Sequence, residues 1–401
     1  MFTMYSESQQ LNPIKIWLQG PDELDAVCKK QAVNLSNIPF VHKWIALMPD
    51  THQGYGMPIG GVAAFKDIVI PNAVGVDIGC GVIFVETDLH KDKLKERHCK
   101  AIIKEIMDRI PVGFKHHQEK QENDTIKERI QMEESFLKKN QKLYKEMEPI
   151  QFQIGTLGGG NHFIEIQEDE NDRIGIMIHS GSRNFGYKVA NYYNEKAKLY
   201  AKKHNAQKHS KNQLAYLPVE SEAGMAYIRW MNMALLFARE NRYRMMHVVK
   251  EILDGHFSNI TYGEEVNAHH NYASLEHHFG QDVWVHRKGA IRVYEDEIGI
   301  IPGAMGSYSY IVKGLGNPES FYSCSHGAGR HLSRKQAMKK FKKENVLKDL
   351  YNQGVYIGTP NKSILVDESR FVYKDIDLVM EQQKDLIVPV KKLKTLIVVK
   401  G

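Results

Sequence analysis

The sequence predicts a mixed fold, α/β or α+β, in which short strands and long helices share one chain. Runs rich in β-branched and aromatic residues at 44–49, 60–65, 83–87, 163–166 and 174–178 read as strands. Segments 187–204 and 220–253 carry apolar residues every three or four positions and read as helices. Glycine-rich polar loops punctuate the strands, and loops on strand ends are where such folds carry chemistry. A length of 401 residues fits two or three average domains or one elaborate domain. With no tandem repeat and no disordered linker, the glycine loops are expected to converge on one site.

Composition narrows the class further. Charged residues at 25% and apolar residues at 42% are ordinary for a globular protein, so core size is not limiting. The 54 Lys and Arg against 48 Asp and Glu give a formal charge of +6, which permits a polyanionic partner without demanding one. Cys28, Cys80, Cys99 and Cys324 have no CxxC or framework spacing, so no disulfide scaffold is expected and a reducing compartment fits. Residues 1–5 lack the opening of a secretory signal, and no run approaches a membrane span. A cytoplasmic protein without a membrane partner is expected.

Taken in order, Pro21-Asp22-Glu23-Leu24 opens a first helix that ends near Asn37-Ile38-Pro39, because Pro and acidic residues favour a helix N-terminal turn. The strand at 44–49 runs into a polar loop, 50–56, where Asp50 and His52 are either site residues or parts of a plain turn. Residues 91 to about 147 form a charged helical insertion, with Ile102, Ile103, Ile106 and Ile110 at helical spacing. Its Lys and Glu residues read as a solvated face. The loop 155–162 delivers His162 to the strand at 163–166, and the strand at 174–178 delivers His179, followed by Ser180-Gly181-Ser182-Arg183. In the second long helix, Met225, Ile228, Met231, Leu235, Ala238 and Met245 form an apolar stripe read as core packing. Asn267-Ala268-His269-His270-Asn271-Tyr272 and then 283–290 resume loop and strand. Three glycine-spaced segments follow, 301–306, 313–318 and 325–330, and 393–401 reads as a final strand.

The chemistry gathers around Val76-Asp77-Ile78-Gly79-Cys80-Gly81-Val82, a glycine-rich bend that sets a carboxylate and a thiol three residues apart. Thiolate and carboxylate suit a divalent ion of borderline softness, with histidines from elsewhere completing the sphere. A buried structural cysteine in a turn is the alternative. Asp77, Cys80, His162, His179 and His270 exceed one tetrahedral site, and two ions bridged by Cys80 are the economical arrangement for acting on a phosphate. Asn161 and Asn271 can orient neighbours or bind phosphoryl oxygens. His326, in Ser325-His326-Gly327-Ala328-Gly329-Arg330, has small neighbours and an arginine that can hold an anion. It is a candidate nucleophile or a loop histidine that only hydrogen-bonds.

Nine separated stretches together resemble the RtcB family of RNA ligases: Met48-Pro49-Asp50 with Gly54-Tyr55-Gly56, 74–82, 155–166, 179–183, His269-His270-Asn271, 299–306, 323–330, 373–377 and Lys400-Gly401. The resemblance implies a single α+β domain over 1–401, with packed β-sheets surrounded by helices and no P-loop or Rossmann unit. It implies a ligase that uses GTP and two Mn²⁺ ions to join RNA ending in a 2′,3′-cyclic phosphate or 3′-phosphate to RNA with a 5′-hydroxyl. The route passes through a His326–GMP phosphoramidate and a 3′-diphosphoguanosine RNA end, in RNA repair or tRNA splicing. An archease-type protein is a candidate activator. Carried over by position, Cys80 bridges the ions, with His162 and His179 on one and Asp77 and His270 on the other. Asn161, Glu165, Ala304, Ser309, Gly327, Tyr373 and Lys400 join His326 as nucleotide contacts, Glu165 on the guanine edge. Arg183, Arg330 and Arg334 are the candidates for phosphate contacts. Ala304 departs from the serine usual in the family, which removes a hydroxyl, and Asn184-Phe185 also differ from the small or aliphatic residues expected. A metal-dependent RNA-end phosphoesterase and a repair-complex subunit without chemistry are the competing readings.

Overall fold

The computed structural model describes residues 1–401, the side chain of Ser210 apart. Two large sheets and a set of helices make an α+β architecture. One sheet has six strands in the order Phe2–Met4, Ile14–Ile16, Val41–Tyr55, Met57–Phe65, Gln281–Lys288, Asn271–His278. The other has eight, running Val266–His269, Gly81–His90, Arg173–Ser180, Phe163–Glu168, Ile387–Val399, Tyr308–Gly314, Ile298–Ile301, with Tyr356–Gly358 added in parallel to Ile387–Val399. The edge strands of this second sheet approach one another, so it is nearly closed.

Alternation along the strands explains why the eight-stranded sheet is covered on both faces. Ile83, Val85, Ile164, Ile166, Ile176 and Ile178 pack against Ile102 and Ile106 of helix Glu96–Arg109 and against Met245, Val249 and Ile252 of helix Glu222–His256. The intervening Val82, Phe84, Phe163 and Met177 face the other way, onto Val346, Leu350 and Leu365. Truncating a fully buried member such as Ile176 to Ala costs about 2–5 kcal/mol. The helix Glu222–His256 starts where the Ser221 hydroxyl accepts the Gly224 N–H at 3.0 Å. Its buried face is centred on Tyr227, Trp230, Ala234, Phe237 and Asn241, one step round from the expected stripe: Met231, Ala238 and Met245 are buried, whereas Met225 is exposed.

Other boundaries moved for local reasons. Pro21–Glu23 is a single 3-10 turn, and the first α-helix, Ala26–Ser36, begins after Asp25, whose carboxylate accepts the Val27 and Cys28 N–H groups. Residues 50–55 are not a loop. They continue the strand Val41–Tyr55 against Met57–Phe65, with register shifts that re-aim successive side chains. In the charged segment, helices Glu96–Arg109 and Asp124–Leu137 bury one face, and exposed Lys–acid pairs such as Lys100–Glu96 occupy the other. The first of the two long helices, Arg183–Lys203, starts four residues before the expected 187. The last strand begins at Ile387 rather than 393 and leaves Lys400 and Gly401 beyond its end. Among the described residues, no helix is long and apolar enough to cross a membrane.

Candidate active site

The bend that carries Asp77 and Cys80 closes because Gly75 and Gly79 take φ of +99° and +76°. Gly81 serves differently: a Cβ there would lie 2.3 Å from the Ala268 carbonyl oxygen, so only glycine lets the neighbouring strand approach. Strand Arg173–Ser180 then brings His179 beside Cys80, and the loop before Phe163 brings His162. The Cys80 Sγ lies 3.5 Å from His162 Nε2 and 3.2 Å from His179 Nε2. His162 Nε2 is 3.1 Å from Asp77 Oδ2, and His179 Nε2 is 3.4 Å from His270 Nε2. Five side chains from four separate segments thus meet at one point, and Cys80, His162 and His179 form a buried three-donor group able to hold a metal ion.

The donor set fits a cation. The Nδ1–H of His162 donates to the Leu157 carbonyl at 3.0 Å and that of His179 to the Asn161 carbonyl at 3.1 Å, so each Nε2 lone pair faces the thiol. The buried Nδ1 of His270 has no hydrogen-bond partner. Burial holds His179 and His270 well below the usual imidazole range, neutral as ligands must be. Burial and the Asp77 charge push the Cys80 thiol up, so a bound cation is what would ionise it.

Two consecutive residues of helix Glu222–His256 tie the ligand segments together. Asn241 Oδ1 accepts the Gly155 and Thr156 N–H groups, at 2.7 and 3.0 Å, and its amide donates to the Thr156 and Gly181 carbonyls. Arg242 donates to the Gly79 and Ser180 carbonyls, both at 2.9 Å, and to Asn267 Oδ1 at 2.8 Å. Asn271 adds bonds from its amide to the Asp77 carbonyl and from the Gly289 N–H to its own oxygen. Sequence reasoning missed Asn241 and Arg242. The available signal was a polar pair set into an otherwise apolar helix face.

His326 stands next to this cluster, its ring 4.8 Å from that of His270 between centroids. Asp50, fully buried, accepts both the His326 N–H at 3.1 Å and its Nδ1–H at 2.6 Å through Oδ2. In the neutral ring that bond keeps the proton on Nδ1 and leaves the Nε2 lone pair free to act as a nucleophile. His52 lies on the same strand, with Nδ1 donating to the Asp50 carbonyl at 2.9 Å.

A cavity of about 680 Å³ opens from His326 and His179. Asn161, Glu165, Ala304, Gly327, Tyr373 and Lys400 all line it, as do Arg330 and Arg334. Glu165 accepts from Gln167 at 2.6 Å and Thr395 at 2.9 Å, and burial pushes its carboxyl up to about 7. Ser309 stands behind the wall, its hydroxyl taken up by the Gly303 N–H and the Gln167 amide. Glu368, which sequence reasoning did not single out, gathers Lys400, Tyr373 and Arg330 at 3.4, 2.7 and 3.3 Å. Arg183 is placed apart from the cavity: its guanidinium donates to Thr156 Oγ1 at 3.0 Å and the Gly113 carbonyl at 2.6 Å, beside the metal group. The glycine segment 313–318 does not reach the site either; Asn317 donates there to Asp385.

Comparison with known proteins agrees with this geometry. The family model described as tRNA-splicing ligase RtcB matches residues 31–401. The chain is 38% identical to the RNA-splicing ligase RtcB of Escherichia coli strain K12, with 97% of each chain covered. It is 32% identical to the tRNA-splicing ligase RtcB of Methanococcus maripaludis, covering 93% of this chain and 91% of that one. Against the tRNA-splicing ligase RtcB of Thermococcus kodakarensis the identity is 30%, covering 88% and 86%. With this match over nearly the whole length, around a Cys–His group able to hold a metal ion, the chain belongs to the RtcB family.

Proposed function

We propose that this chain is a GTP-dependent RNA ligase that joins a 3′-phosphate or 2′,3′-cyclic phosphate RNA end to a 5′-hydroxyl end. The observation that carries the reading is a histidine with a freed Nε2, held by Asp50, between a buried Cys–His group and a cavity large enough for a nucleotide. Cys80, His162 and His179, with Asp77 and His270, would hold two Mn²⁺ ions, whose chemistry is to neutralise phosphate charge. His326 attacks the α-phosphorus of GTP through Nε2: the N–P bond forms, the bond to the β-phosphate oxygen breaks, and pyrophosphate leaves. Asp50 keeps the Nδ1 proton and stabilises the charge that builds on the ring. Glu165 takes the guanine N–H edge, while Asn161, Tyr373 and Lys400 surround the nucleotide and Ser309 braces the wall behind it. Arg330 and Arg334 meet phosphate at the mouth. Arg183 supports the metal side through the backbone it binds. The GMP then passes to the RNA 3′-phosphate and departs when the 5′-hydroxyl attacks. An archease-type activator is a candidate partner for repeated turnover.

The test is incubation with α-phosphate-labelled GTP and Mn²⁺, then addition of RNA with a 3′-phosphate and a 5′-hydroxyl strand. Acid-labile, alkali-stable label on the protein, absent in His326→Ala, together with a sealed RNA product, is the expected result. A chain that opens cyclic phosphates yet takes up no label would replace the ligase reading with that of a phosphoesterase.

A further inference from the structure

Phe114 is the one side chain near the site whose apolar ring stands wholly in solvent. Single exposed apolar residues are common, so exposure alone says little. What distinguishes Phe114 is the fixity of its backbone and its position. Val112 is bridged to Gly158, the Gly113 N–H donates to the Gly158 carbonyl at 2.9 Å, and the Gly113 carbonyl accepts from Arg183 at 2.6 Å. Beyond the turn, the His117 N–H donates to the Phe152 carbonyl at 3.0 Å. The ring is therefore presented on an anchored turn.

From this turn a path without side chains leads to the site. A Cβ on Gly159 would lie 3.7 Å from Gly113 Cα, one on Gly158 would lie 2.5 Å from His162 Nδ1, and one on Gly160 would lie 2.9 Å from the Arg334 guanidinium. Gly158 is buried against Arg183 and His162, so the ledge between the Gly113–Phe114 turn and Arg334 is Gly159–Gly160, edged by the Gly401 carbonyl. Arg334 is largely exposed and pairs with Asp367 and Glu368 at 3.5 and 3.6 Å. Exposed Lys335, Lys339, Lys340 and Lys342 follow it. Asp22, Glu23 and Asp25 also line the cavity, whereas 334–342 carries basic residues and no acid, so a polyanion is favoured on the Arg334 side.

An aromatic face beside a cationic track is how single-stranded nucleic acid is held without base-specific contacts. We propose that Phe114 is a stacking platform for a base of the RNA strand that enters the site, with its backbone crossing the glycine ledge toward Arg334. The proposal rests on the ligase reading and adds where the substrate lies. The shared ligand chemistry is an unpaired RNA base, from either the 3′-phosphate strand or the 5′-hydroxyl strand.

The test uses full-length protein and the variants Phe114→Ala, Phe114→Leu and Phe114→Trp. Each is titrated with 3′-phosphate and, separately, 5′-hydroxyl RNA oligonucleotides carrying 2-aminopurine near the relevant end, with self-labelling by GTP as control. Expected are quenching of 2-aminopurine by wild type in at least one arm, a roughly 10-fold loss of affinity in that arm for the Ala and Leu variants, and recovery with Trp. Self-labelling is expected to be unchanged in all three, since Phe114 does not line the cavity. The arm that weakens identifies the strand that rests on the ring. Wild-type affinity and quenching in the Ala variant, with sealing intact, would overturn this inference alone. Absence of both labelling and sealing in wild type would overturn the ligase reading and this inference with it. Recovery by Leu as well as Trp would also overturn it, because bulk rather than an aromatic face would then suffice.

Discussion

Replacing Asp50 by Asn tests whether the buried carboxylate sets the reactivity of His326. The substitution keeps shape, and Lys374 continues to clamp the backbone on both sides through the Pro49 and Thr51 carbonyls, each at 2.8 Å. Two orientations of the amide are available. With oxygen toward His326, the new NH₂ occupies the place of Oδ1, which is buried with no partner, at a cost of about 1–3 kcal/mol. With NH₂ toward His326, the ring must accept at Nδ1 and carry its proton on Nε2, which blocks the attacking nitrogen. Both lose a charge-assisted bond of about 1.5–3 kcal/mol, equivalent to about 10- to 150-fold in rate. Reversal of the tautomer deepens the loss toward about 10⁴-fold, as when the acid of a Ser-His-Asp triad becomes an amide. The assay is the single-turnover rate of protein labelling from α-labelled GTP at saturating Mn²⁺, alongside Mn²⁺ titration and a melting curve. The expected outcome is slow labelling with metal binding retained, because Asp50 lies outside the Cys80–His162–His179 group. A labelling rate within twofold of wild type, in a folded variant, would refute the reasoning.

Further outcomes follow from the same geometry. Cys80→Ala removes the sulfur that faces both His162 and His179, so calorimetric titration should find fewer than two Mn²⁺ per chain and labelling should vanish; full stoichiometry would contradict a bridging role. Arg242→Met removes the guanidinium from the Gly79 and Ser180 carbonyls, the first of which keeps His269, for a stability loss of about 1–3 kcal/mol, and Mn²⁺ affinity should fall about 10- to 100-fold; unchanged affinity in the folded variant would reduce Arg242 to packing. Glu165 is raised by burial from 4.5 to about 7, so the folded chain holds a proton there that the unfolded chain has released. Its contribution should therefore make stability fall as pH rises from about 4.5 to 7 and level off above, and Glu165→Gln should flatten that window in denaturant titrations. The KM for GTP should improve as pH rises through about 7, when the carboxylate ionises to accept the guanine edge; the same improvement in Glu165→Gln would assign it to another group.

Much of the site was legible because its parts are local. A histidine at the end of an apolar strand, such as His179, and a thiol inside a run of glycines, such as Cys80, announce themselves without knowledge of the fold. Asp50 was visible as a candidate, but not its role, because its partner lies 276 residues away and only tertiary packing pairs them. The polar, glycine-spaced stretch after Pro49 reads as a loop, yet pairing with Met57–Phe65 makes it a strand, since bulges accommodate what a regular ladder would reject. Asn241 and Arg242 were hidden for the opposite reason: the apolar pattern around them is strong, and a buried polar pair changes the period little. Met225 shows the limit of that pattern, being apolar, in phase with its neighbours and exposed.

The place of strand Ile387–Val399 has a consequence for how the enzyme comes into being. It lies between Phe163–Glu168 and Tyr308–Gly314, so the two parts of the eight-stranded sheet are joined through a segment made after both of them. Its pairing of Lys394 with Glu168 spans more than half the chain, the kind of distant contact that slows folding. A nascent chain that has exposed its metal-ligand segments still lacks the central strand of the sheet, and Lys400 with it, so its unpaired strand edges are open to misassociation. A chain stopped before this strand would keep all five candidate metal ligands in sequence but lack Thr395 and Lys400, which meet Glu165 and Glu368 in the cavity wall. The order of translation thus matters for this sheet, whose joining strand emerges only after both of the parts it connects.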